Sequence, residues 1–341
     1  MRVGWIVGLV VLIAAVSAAA IFAASLHVGP VITICAHNNE IPAVERAEIV
    51  EAGQNFLELV RSGDAAAVRG AMSRDGQSGT ELEILANQIE GQLADTELDL
   101  TNVYRVYTPI GSRNGSSICG APSRPALVSR HGGARVALAT FEQQLSGATR
   151  TWTLYFERDR GAWRTRHFYV GVSGLAGRNG RDIRELARAQ EVAGNAFNAT
   201  LLYDTAGLLL SRGESFQPSE AYGLTQEREA LERHPDIAGA APYEFRLGAT
   251  SFAVSNLTIV GAGGDQSLVL VLNQPGEPLT EAEAAVRNRL LIDAMNHYRA
   301  EWREAFDALV ASYPTGTNTI WRTVYDPDTG YLAAPADHQA P

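Results

Sequence analysis

The residue whose type and position best suit acid–base chemistry is His167, in the segment AWRTRHFYVGV. Strand alternation predicts that it shares an aromatic face with Trp163 and Tyr169, where a histidine could act as a general base. The acid working with it would be Asp99 or Glu157. The alternative is a half-buried histidine whose ring is satisfied by a backbone or hydroxyl partner. We favour this alternative, because no paired acid and base is apparent.

The absence of lysine excludes several chemistries. All 28 basic residues are arginine, so the chain has no P-loop lysine, no Schiff-base lysine and no kinase strand lysine. The glycine-rich VGAGGD at 260–265 lies between two strand patterns, which indicates a hairpin turn rather than a dinucleotide-binding loop. Asp326 and Asp328 belong to an ordinary turn, since Pro327 and a missing distal glutamate spoil a calcium loop. We expect no cofactor.

Metal and hydrolase signatures are missing from the sequence as well. The histidines show no HExxH spacing, the two cysteines are not a CxxC pair, and no GxSxG motif occurs. We therefore expect no metal site and no serine nucleophile of the α/β-hydrolase kind. The sequence favours a non-enzymatic protein over an enzyme.

An uncharged apolar segment occupies residues 5–26. At about 1.5 Å of helical rise per residue, it is long enough to cross a bilayer core of roughly 30 Å. Arg2 precedes it and the next basic residue is Arg46, so the positive-inside rule predicts a cytoplasmic stub at residues 1–4 and a periplasmic bulk. The sequence predicts a single-pass inner-membrane anchor. The alternative is a signal peptide cleaved near Ala18-Ala19-Ala20, which would release a periplasmic or secreted protein.

The two cysteines, Cys35 and Cys119, both lie on the exported side of this segment. An oxidising compartment favours a disulfide between them. A reactive thiol is the less favoured alternative, because no basic residue adjacent to Cys119 would lower its pKa.

Helical patterns dominate the next part of the chain. A helix should begin near Ile41-Pro42 and bury a stripe formed by Ile49, Gly53, Phe56 and Val60. In Ser62-Gly63-Asp64, Gly63 suits the end of this helix and Asp64 caps a short helix over 65–72. A further helical piece is predicted at 81–93.

The pattern then changes from a period of 3.6 to a period of 2. Four strands are predicted, at 98–110, 135–145, 149–158 and 162–172, and Asp159-Arg160-Gly161 makes a tight turn between the last two.

A helix ending in SGD, a short helix, and strands closing on ERDRGAWRTRHF together resemble the nuclear transport factor 2-like (NTF2-like) superfamily over about residues 41–172. The resemblance implies a curved antiparallel sheet wrapped around helices as a cone, in a domain that we place at 27–172. Related folds include enzymes, but none of their sites matches this chain residue by residue. If the cone is hollow, it would hold a lipid or another apolar ligand, and the candidate lining residues are Phe56, Val60, Trp152, Phe156, Trp163 and Tyr169.

The second half resembles no family that we recognise. SGLAGRNGR at 173–181 predicts a glycine-rich hinge before a second, helix-rich α+β domain at 182–330. This domain should contain a helical segment over 182–211, a β-hairpin over 250–274 and a long C-terminal helix that Thr280 and Glu283 open as a capping box. Its apolar repeat continues to Tyr313-Pro314. A last strand, TIWRTVY, precedes a tail at 331–341 that we expect to be disordered.

Charge is distributed unevenly along the chain. Residues 105–188 carry 14 arginines and 5 acidic residues, a net charge of +9 within a protein of net charge −10. The candidate basic patch consists of Arg158, Arg160, Arg164 and Arg166, and it would face anionic lipid headgroups or an acidic partner protein. Mutual docking of the two domains or solvated strand edges are the alternatives. An exported chain with a pI of about 5.3 is not expected to bind nucleic acid.

The fold class predicted is α+β, with a transmembrane helix, an NTF2-like domain and a second α+β domain. The preferred function is a membrane-anchored envelope protein that acts as an assembly or scaffold module, with a protein partner or a second copy of itself. Secretion-channel subunits of the VirB8 type share this plan of anchor and cone. A binding module for a lipid or other apolar ligand comes second, and an enzyme using His167 third.

Overall fold

The computed structural model describes residues 32–74, 76, 97–110, 114–120, 125–130, 135–262 and 267–332. The predicted anchor at 5–26, the helical piece at 81–93, most of the turn at 260–265 and all but the first two residues of the tail at 331–341 lie outside these ranges. Within them, none of the helices has the length and apolar character needed to cross a membrane. The described part is a mixed α+β structure built on a curled antiparallel sheet.

The large sheet has six antiparallel strands in the order β1-β2-β5-β6-β7-β8. The four predicted strands are confirmed, and two short ones complete the edges. Their bounds are Ile32–His37 (β1), Asp99–Ile110 (β2), Arg135–Leu145 (β5), Ala148–Asp159 (β6), Ala162–Leu175 (β7) and Arg178–Asn179 (β8).

Two helices cover one face of this sheet, which we call the helix face. They are α1 (Ala43–Arg61) and α2 (Ala65–Ala71). The predicted stripe of α1 is confirmed: all four of its members are buried. The corner between the helices is also as predicted, because Gly63 has a φ of +70° and the Asp64 carboxylate accepts a hydrogen bond from Ala67 N at 2.9 Å.

A β-bulge in β7 overturns one prediction about this sheet. Phe156 pairs with Thr165 and Tyr155 with His167, so Arg166 is an extra residue on β7. The extra residue reverses the alternation of side chains. As a result Trp163 points to the helix face, whereas His167 and Tyr169 lie with Tyr155 on the opposite face, which we call the outer face. The expectation that Trp163, His167 and Tyr169 share one face is wrong.

A small three-stranded sheet lies over the outer face. It consists of β3 (Gly115–Cys119), β4 (Ala126–Arg130) and β9 (Phe216–Pro218), and it packs on the large sheet through a shared apolar cluster. The disulfide predicted between Cys35 and Cys119 is present and joins β1 to β3. The small sheet thus combines strands from both halves of the chain.

The glycine-rich segment 173–181 differs from a hinge. It contains the end of β7, a turn at Ala176-Gly177 in which both residues have positive φ, and β8. Such a turn suits the twist of a two-residue hairpin, which explains the glycines locally. Asn179 then caps α3 (Gly180–Val192). The division into two domains stays a prediction.

The second half packs around its own core, which Leu175 and Ala176 join from the first. The predicted helical segment 182–211 is two helices, α3 and α4 (Ala196–Leu210), that meet at Gly194, where φ is +82°. After α5 (Leu224–Ala230) come the hairpin β10-β11 and a five-stranded sheet in chain order. The strand bounds are Tyr243–Leu247 (β10), Thr250–Val254 (β11), Asn256–Ala262 (β12), Ser267–Asn273 (β13), Ala308–Pro314 (β14), Ile320–Asp326 (β15) and Gly330–Leu332 (β16).

The long C-terminal helix is shorter than predicted. Helix α6 (Glu281–Tyr298) begins with the predicted capping box of Thr280 and Glu283, but after a 3₁₀ turn over Ala300–Glu304 the chain enters β14. This strand is central, between β13 and β15, and it pairs parallel to β13. Most of its residues are apolar, and Leu309, Ala311 and Tyr313 are buried. An apolar run of this kind imitates the continuation of a helical stripe. The start of the predicted tail also differs, since Tyr331 and Leu332 belong to β16.

Candidate functional site

The predicted apolar pocket is not assembled as expected. Phe56, Val60, Trp152, Phe156 and Trp163 all belong to one cluster between α1 and the large sheet, and none is more than 7% exposed. Tyr169 lies on the outer face, away from them. In the described residues the five side chains are core residues under the helix, and the cavities of interest lie on the other side of the sheet.

Two cavities lie side by side on the outer face, between the large sheet and the segment 211–220. The larger, of about 450 Å³, is lined by Thr153, Tyr155, His167 and Tyr169 among others. The smaller, of about 300 Å³, is lined by Tyr104, Glu142, Thr151 and Glu220 among others. Arg212 lines both, and we call the pair of cavities the Arg212 cleft.

The strands position the polar floor of this cleft. Thr151, Thr153 and Tyr155 alternate along β6, and their neighbours in register on β5 and β7 point the same way. His167 is opposite Tyr155, and Tyr169 is opposite Thr153. A row of hydroxyl and ring groups on this face is therefore a direct result of the register that the bulge sets.

His167 is held by an aromatic ring and a hydroxyl group. Its ring stacks on Tyr155 with 4.5 Å between centroids, and its Nε2 lies 2.7 Å from Ser215 Oγ. The two acids proposed to work with it are placed differently: Glu157 accepts a hydrogen bond from Arg166 at 2.7 Å, and Asp99 lies opposite Glu142 at the start of β2. The arrangement matches the favoured alternative, a half-buried histidine with a hydroxyl partner.

Arg212 is the residue that sequence reasoning missed. Its Nη1 donates to the carbonyl oxygens of Leu209 at 2.6 Å and Ser211 at 2.7 Å, and in the part of the chain that the structure describes no carboxylate lies within 4 Å of its guanidinium. Burial lowers the pKa of Arg212 below its ordinary value, and Glu142 is the first of the nearby groups that oppose the shift. A partly buried cation without an ion pair is costly unless something else satisfies it.

Two buried hydroxyl groups in the cleft also have no described partner. Thr151 and Thr153 are 1% and 3% exposed, and among the described residues neither Oγ1 has a hydrogen-bond partner. Thr140, beside them on β5, differs because its Oγ1 lies 2.7 Å from Thr101 Oγ1. Since buried polar groups are nearly always hydrogen-bonded, these two hydroxyls need an explanation.

The segment over the cleft is held close to the sheet. At Gly213, where φ is +83°, an added Cβ would lie 3.0 Å from Tyr169 Cβ. Ser129 N donates to Ser215 O at 2.8 Å, and the pairing of β9 with β4 follows at once. The signal in the sequence is the SRGES segment directly after the apolar α4, in which glycine permits the tight approach.

The candidate basic patch is partly neutralised. Arg158 lies 3.2 Å from Glu48 and above the ring of Trp163, and Arg166 pairs with Glu157. Arg164 donates to the Gly70 carbonyl at 3.2 Å, and among the described residues no carboxylate lies within 4 Å of its guanidinium. Arg160 is exposed in the tight turn after β6. Two of the four arginines therefore have carboxylate partners, which weakens an electrostatic surface.

In the other charged clusters, the acidic and basic side chains form ion pairs with each other. Glu227 on α5 binds Arg184 and Arg188 of α3, and a larger cavity of about 600 Å³ beside α4 has the pair Asp204 and Arg228 in its wall. A cavity of about 510 Å³ at the β10-β11 hairpin contains the ion pair of Asp236 with Arg299. Among the described residues there is no group of three or more His, Cys, Asp and Glu side chains that could hold a metal ion.

No family model matches the chain, and no curated protein is significantly similar to it.

Proposed function

We propose that this chain is an exported module of the bacterial envelope, anchored by residues 5–26, that binds a small polar ligand in the Arg212 cleft. The single observation that carries the proposal is the state of the cleft: Arg212 lacks a carboxylate partner among the described residues, and Thr151 and Thr153 present unpartnered hydroxyls beside it. A ligand with polar groups would satisfy Arg212, and a turn of the two buried threonine side chains would bring their hydroxyls to the same ligand. No catalytic step is required of His167.

The NTF2-like assignment of residues 41–172 is part of the proposal. A curled antiparallel sheet with helices on one face supports it. The proposed site differs from the one that the resemblance implies, because the helix face is packed with apolar side chains and the cleft lies outside. The exported location is supported by the disulfide between Cys35 and Cys119, since such bonds persist in oxidising compartments.

Native mass spectrometry of the full-length chain, extracted from its own membranes in a mild uncharged detergent, tests the proposal. We expect a small polar adduct that leaves when the chain is unfolded and that Arg212→Gln loses. Arg246→Gln is the matched control, because Arg246 is exposed on β10 and pairs with Glu244. Thr153→Val gives a milder change in the same cleft.

Two outcomes would contradict the proposal. One is the absence of any small adduct from the wild-type chain. The other is an adduct that both Arg212→Gln and Thr153→Val retain. A lipid-sized adduct retained by both variants would instead favour the apolar binding module.

The assembly or scaffold module is our second candidate. The observation that favours it is an apolar stripe on α6, where Val286 and Leu290, one turn apart, are 60% and 41% exposed. The same mass spectra would then contain a second polypeptide, and a Val286→Glu, Leu290→Glu variant would lose it. Mass spectra in which the chain carries neither a ligand nor a second polypeptide would argue against this candidate.

A further inference from the structure

Charge is separated along the Arg212 cleft. Glu142 and Glu220 line the smaller cavity, whereas the larger one is lined by Arg166, His167, the exposed Glu214 and, at the boundary, Arg212. We propose that the ligand is a small zwitterion whose ammonium group lies near Glu142 and Glu220 and whose carboxylate or phosphate group lies against Arg212 and Thr153. This inference rests on the proposed function, and it names the ligand's chemistry.

The two carboxylates at the acidic end of the cleft, Glu142 and Glu220, have few partners among the described residues. Among the described residues Glu142 has no hydrogen bond and no cation within 4 Å, although its charge acts on Arg212. The Glu220 carboxylate accepts one hydrogen bond, from Ser219 Oγ at 3.1 Å. Thr140 and Thr151 line the same cavity, and the Thr151 Oγ1, which is buried and has no described partner, can accept a hydrogen bond. An ammonium group has three donors and no acceptor, so this set of acceptors suits it.

The same end already affects a neighbouring group. Burial and then the charge of Glu220 raise the pKa of Tyr104 to about 12. The Tyr104 hydroxyl therefore stays protonated at neutral pH. The negative charge of this cavity belongs to its two carboxylates.

The other end offers donors. Arg166 is committed to Glu157, whereas Arg212 uses Nη1 for two backbone carbonyls, and no described partner of its Nε or Nη2 is present. Thr153 Oγ1 and the Tyr169 hydroxyl lie on the same side. A guanidinium with hydroxyl donors beside it matches a carboxylate or phosphate.

A ligand with one charge would fit less well. An anion alone would sit near Glu142 and Glu220, and a cation alone would sit near Arg212, and in a partly buried cleft both arrangements are unfavourable. A zwitterion compensates both ends at once. The two cavities, of about 450 and 300 Å³, have room for a molecule the size of a dipeptide.

This chemistry has two sources in an envelope: a short peptide or a zwitterionic lipid headgroup. We would measure both by isothermal titration calorimetry on the full-length chain in an uncharged detergent, with alanyl-alanine and with glycerophosphoethanolamine. N-acetyl-alanyl-alanine lacks the ammonium group, and alanyl-alanine amide lacks the carboxylate. Each pair of probes therefore differs in one charge.

We expect at least one zwitterion to bind. Each analogue of that zwitterion that lacks one of its charges should bind at least tenfold more weakly. For glycerophosphoethanolamine the matched analogue is glycerophosphoethanol, which has no ammonium group. Glu142→Gln and Arg212→Gln should each weaken the zwitterion about tenfold. Glu244→Gln is the control, because Glu244 is exposed and pairs with Arg246.

Binding of a singly charged analogue as tightly as its zwitterion would overturn the inference, and so would failure of both zwitterions to bind. Neither result touches the proposed function, which depends on an adduct that Arg212→Gln loses. If Glu142→Gln leaves zwitterion affinity unchanged while Arg212→Gln abolishes it, the ammonium site is wrong and the ligand is a simple anion.

Discussion

At the scale of single residues, the unpartnered hydroxyl of Thr153 makes the sharpest prediction. A buried hydroxyl without a hydrogen bond costs about 1–3 kcal/mol, and valine replaces it with a methyl group at the same branch point. We expect Thr153→Val to raise the free energy of unfolding of the unliganded chain by about 1 kcal/mol in urea titrations. The same variant should bind the cleft's ligand more weakly.

Thr140→Val is the control, because its hydroxyl already has a partner in Thr101 at 2.7 Å. Losing that hydrogen bond should lower the free energy of unfolding by about 1 kcal/mol. If both substitutions destabilise the chain equally, the hydroxyl of Thr153 is satisfied in solution and the cleft loses one of its three supports.

Several residue-level features could be read from the sequence because their causes are local. Asp64 caps a helix that begins at the next residue, and Ile49 belongs to a stripe of period 3.6. The face of His167 could not be read, because the extra residue at Arg166 depends on how β7 pairs with β6. Arg212 was missed for a related reason: its environment comes from strands more than forty residues away in the chain.

At the scale of elements, the contact between α1 and the large sheet can be tested at Gly53. An added Cβ would lie 2.8 Å from Phe141 Cζ and 2.9 Å from its Cε2. We expect Gly53→Ala to destabilise the chain by about 1–3 kcal/mol through overpacking, although alanine is the better helix former. Urea unfolding measures the change.

Gly70→Ala is the matched control on α2, since an added Cβ there has no atom within 4 Å among the described residues. It should stabilise the chain by about 0.5–1 kcal/mol. A Gly53→Ala variant as stable as Gly70→Ala would mean that α1 does not pack on Phe141.

The attachment of α5 to α3 predicts a dependence on pH. Hydrogen bonds from Arg184 and then Arg188, partly opposed by burial, lower the pKa of Glu227 from 4.5 to about 2. A carboxyl group with a lowered pKa contributes stability that is fully present above its unfolded value and is lost as the pH falls. The difference in unfolding free energy between wild type and Glu227→Gln should therefore be constant above about pH 5 and shrink towards pH 2.

Glu185→Gln serves as the control for this measurement, because Glu185 forms an exposed i,i+4 pair with Arg181 and such pairs contribute little. A difference for Glu227→Gln that does not change with pH would show that the two arginines do not hold its carboxylate.

Elements with a strong local pattern were predicted well, and those defined by distant partners were not. The strands at 135–145 and 162–172 were predicted from their own residues, and both are present. The apolar run at 308–314 was assigned to a helix, since its pairing with β13 and β15 is what makes it a strand. The glycines at 173–181 were assigned to a hinge because glycine marks turns and linkers alike.

At the scale of the whole molecule, the disulfide between Cys35 and Cys119 helps to hold the segment 211–220 over the cleft. It links two residues that are 84 positions apart and joins the large sheet to the small one. Strand β9 of the small sheet begins directly after Ser215, which lines the cleft. We expect the Cys35→Ser, Cys119→Ser variant to lose about 4 kcal/mol of unfolding free energy. It should also bind the ligand more weakly, because the segment 211–220 is then less constrained. The ligand affinity of the reduced wild type, measured by calorimetric titration, provides the comparison. If reduction leaves this affinity unchanged, the disulfide does not hold the segment 211–220 over the cleft.

The central claim is that the ligand binds on the outer face of the large sheet, in the Arg212 cleft. Hydrogen–deuterium exchange of the full-length chain, with and without the polar low-molecular-weight fraction of its own envelope, tests this claim most directly. We predict slower exchange at 149–155 and 211–216, with α1 unchanged. Slower exchange in α1 without any change at 211–216 would place the ligand on the helix face and contradict the account, as would no change anywhere.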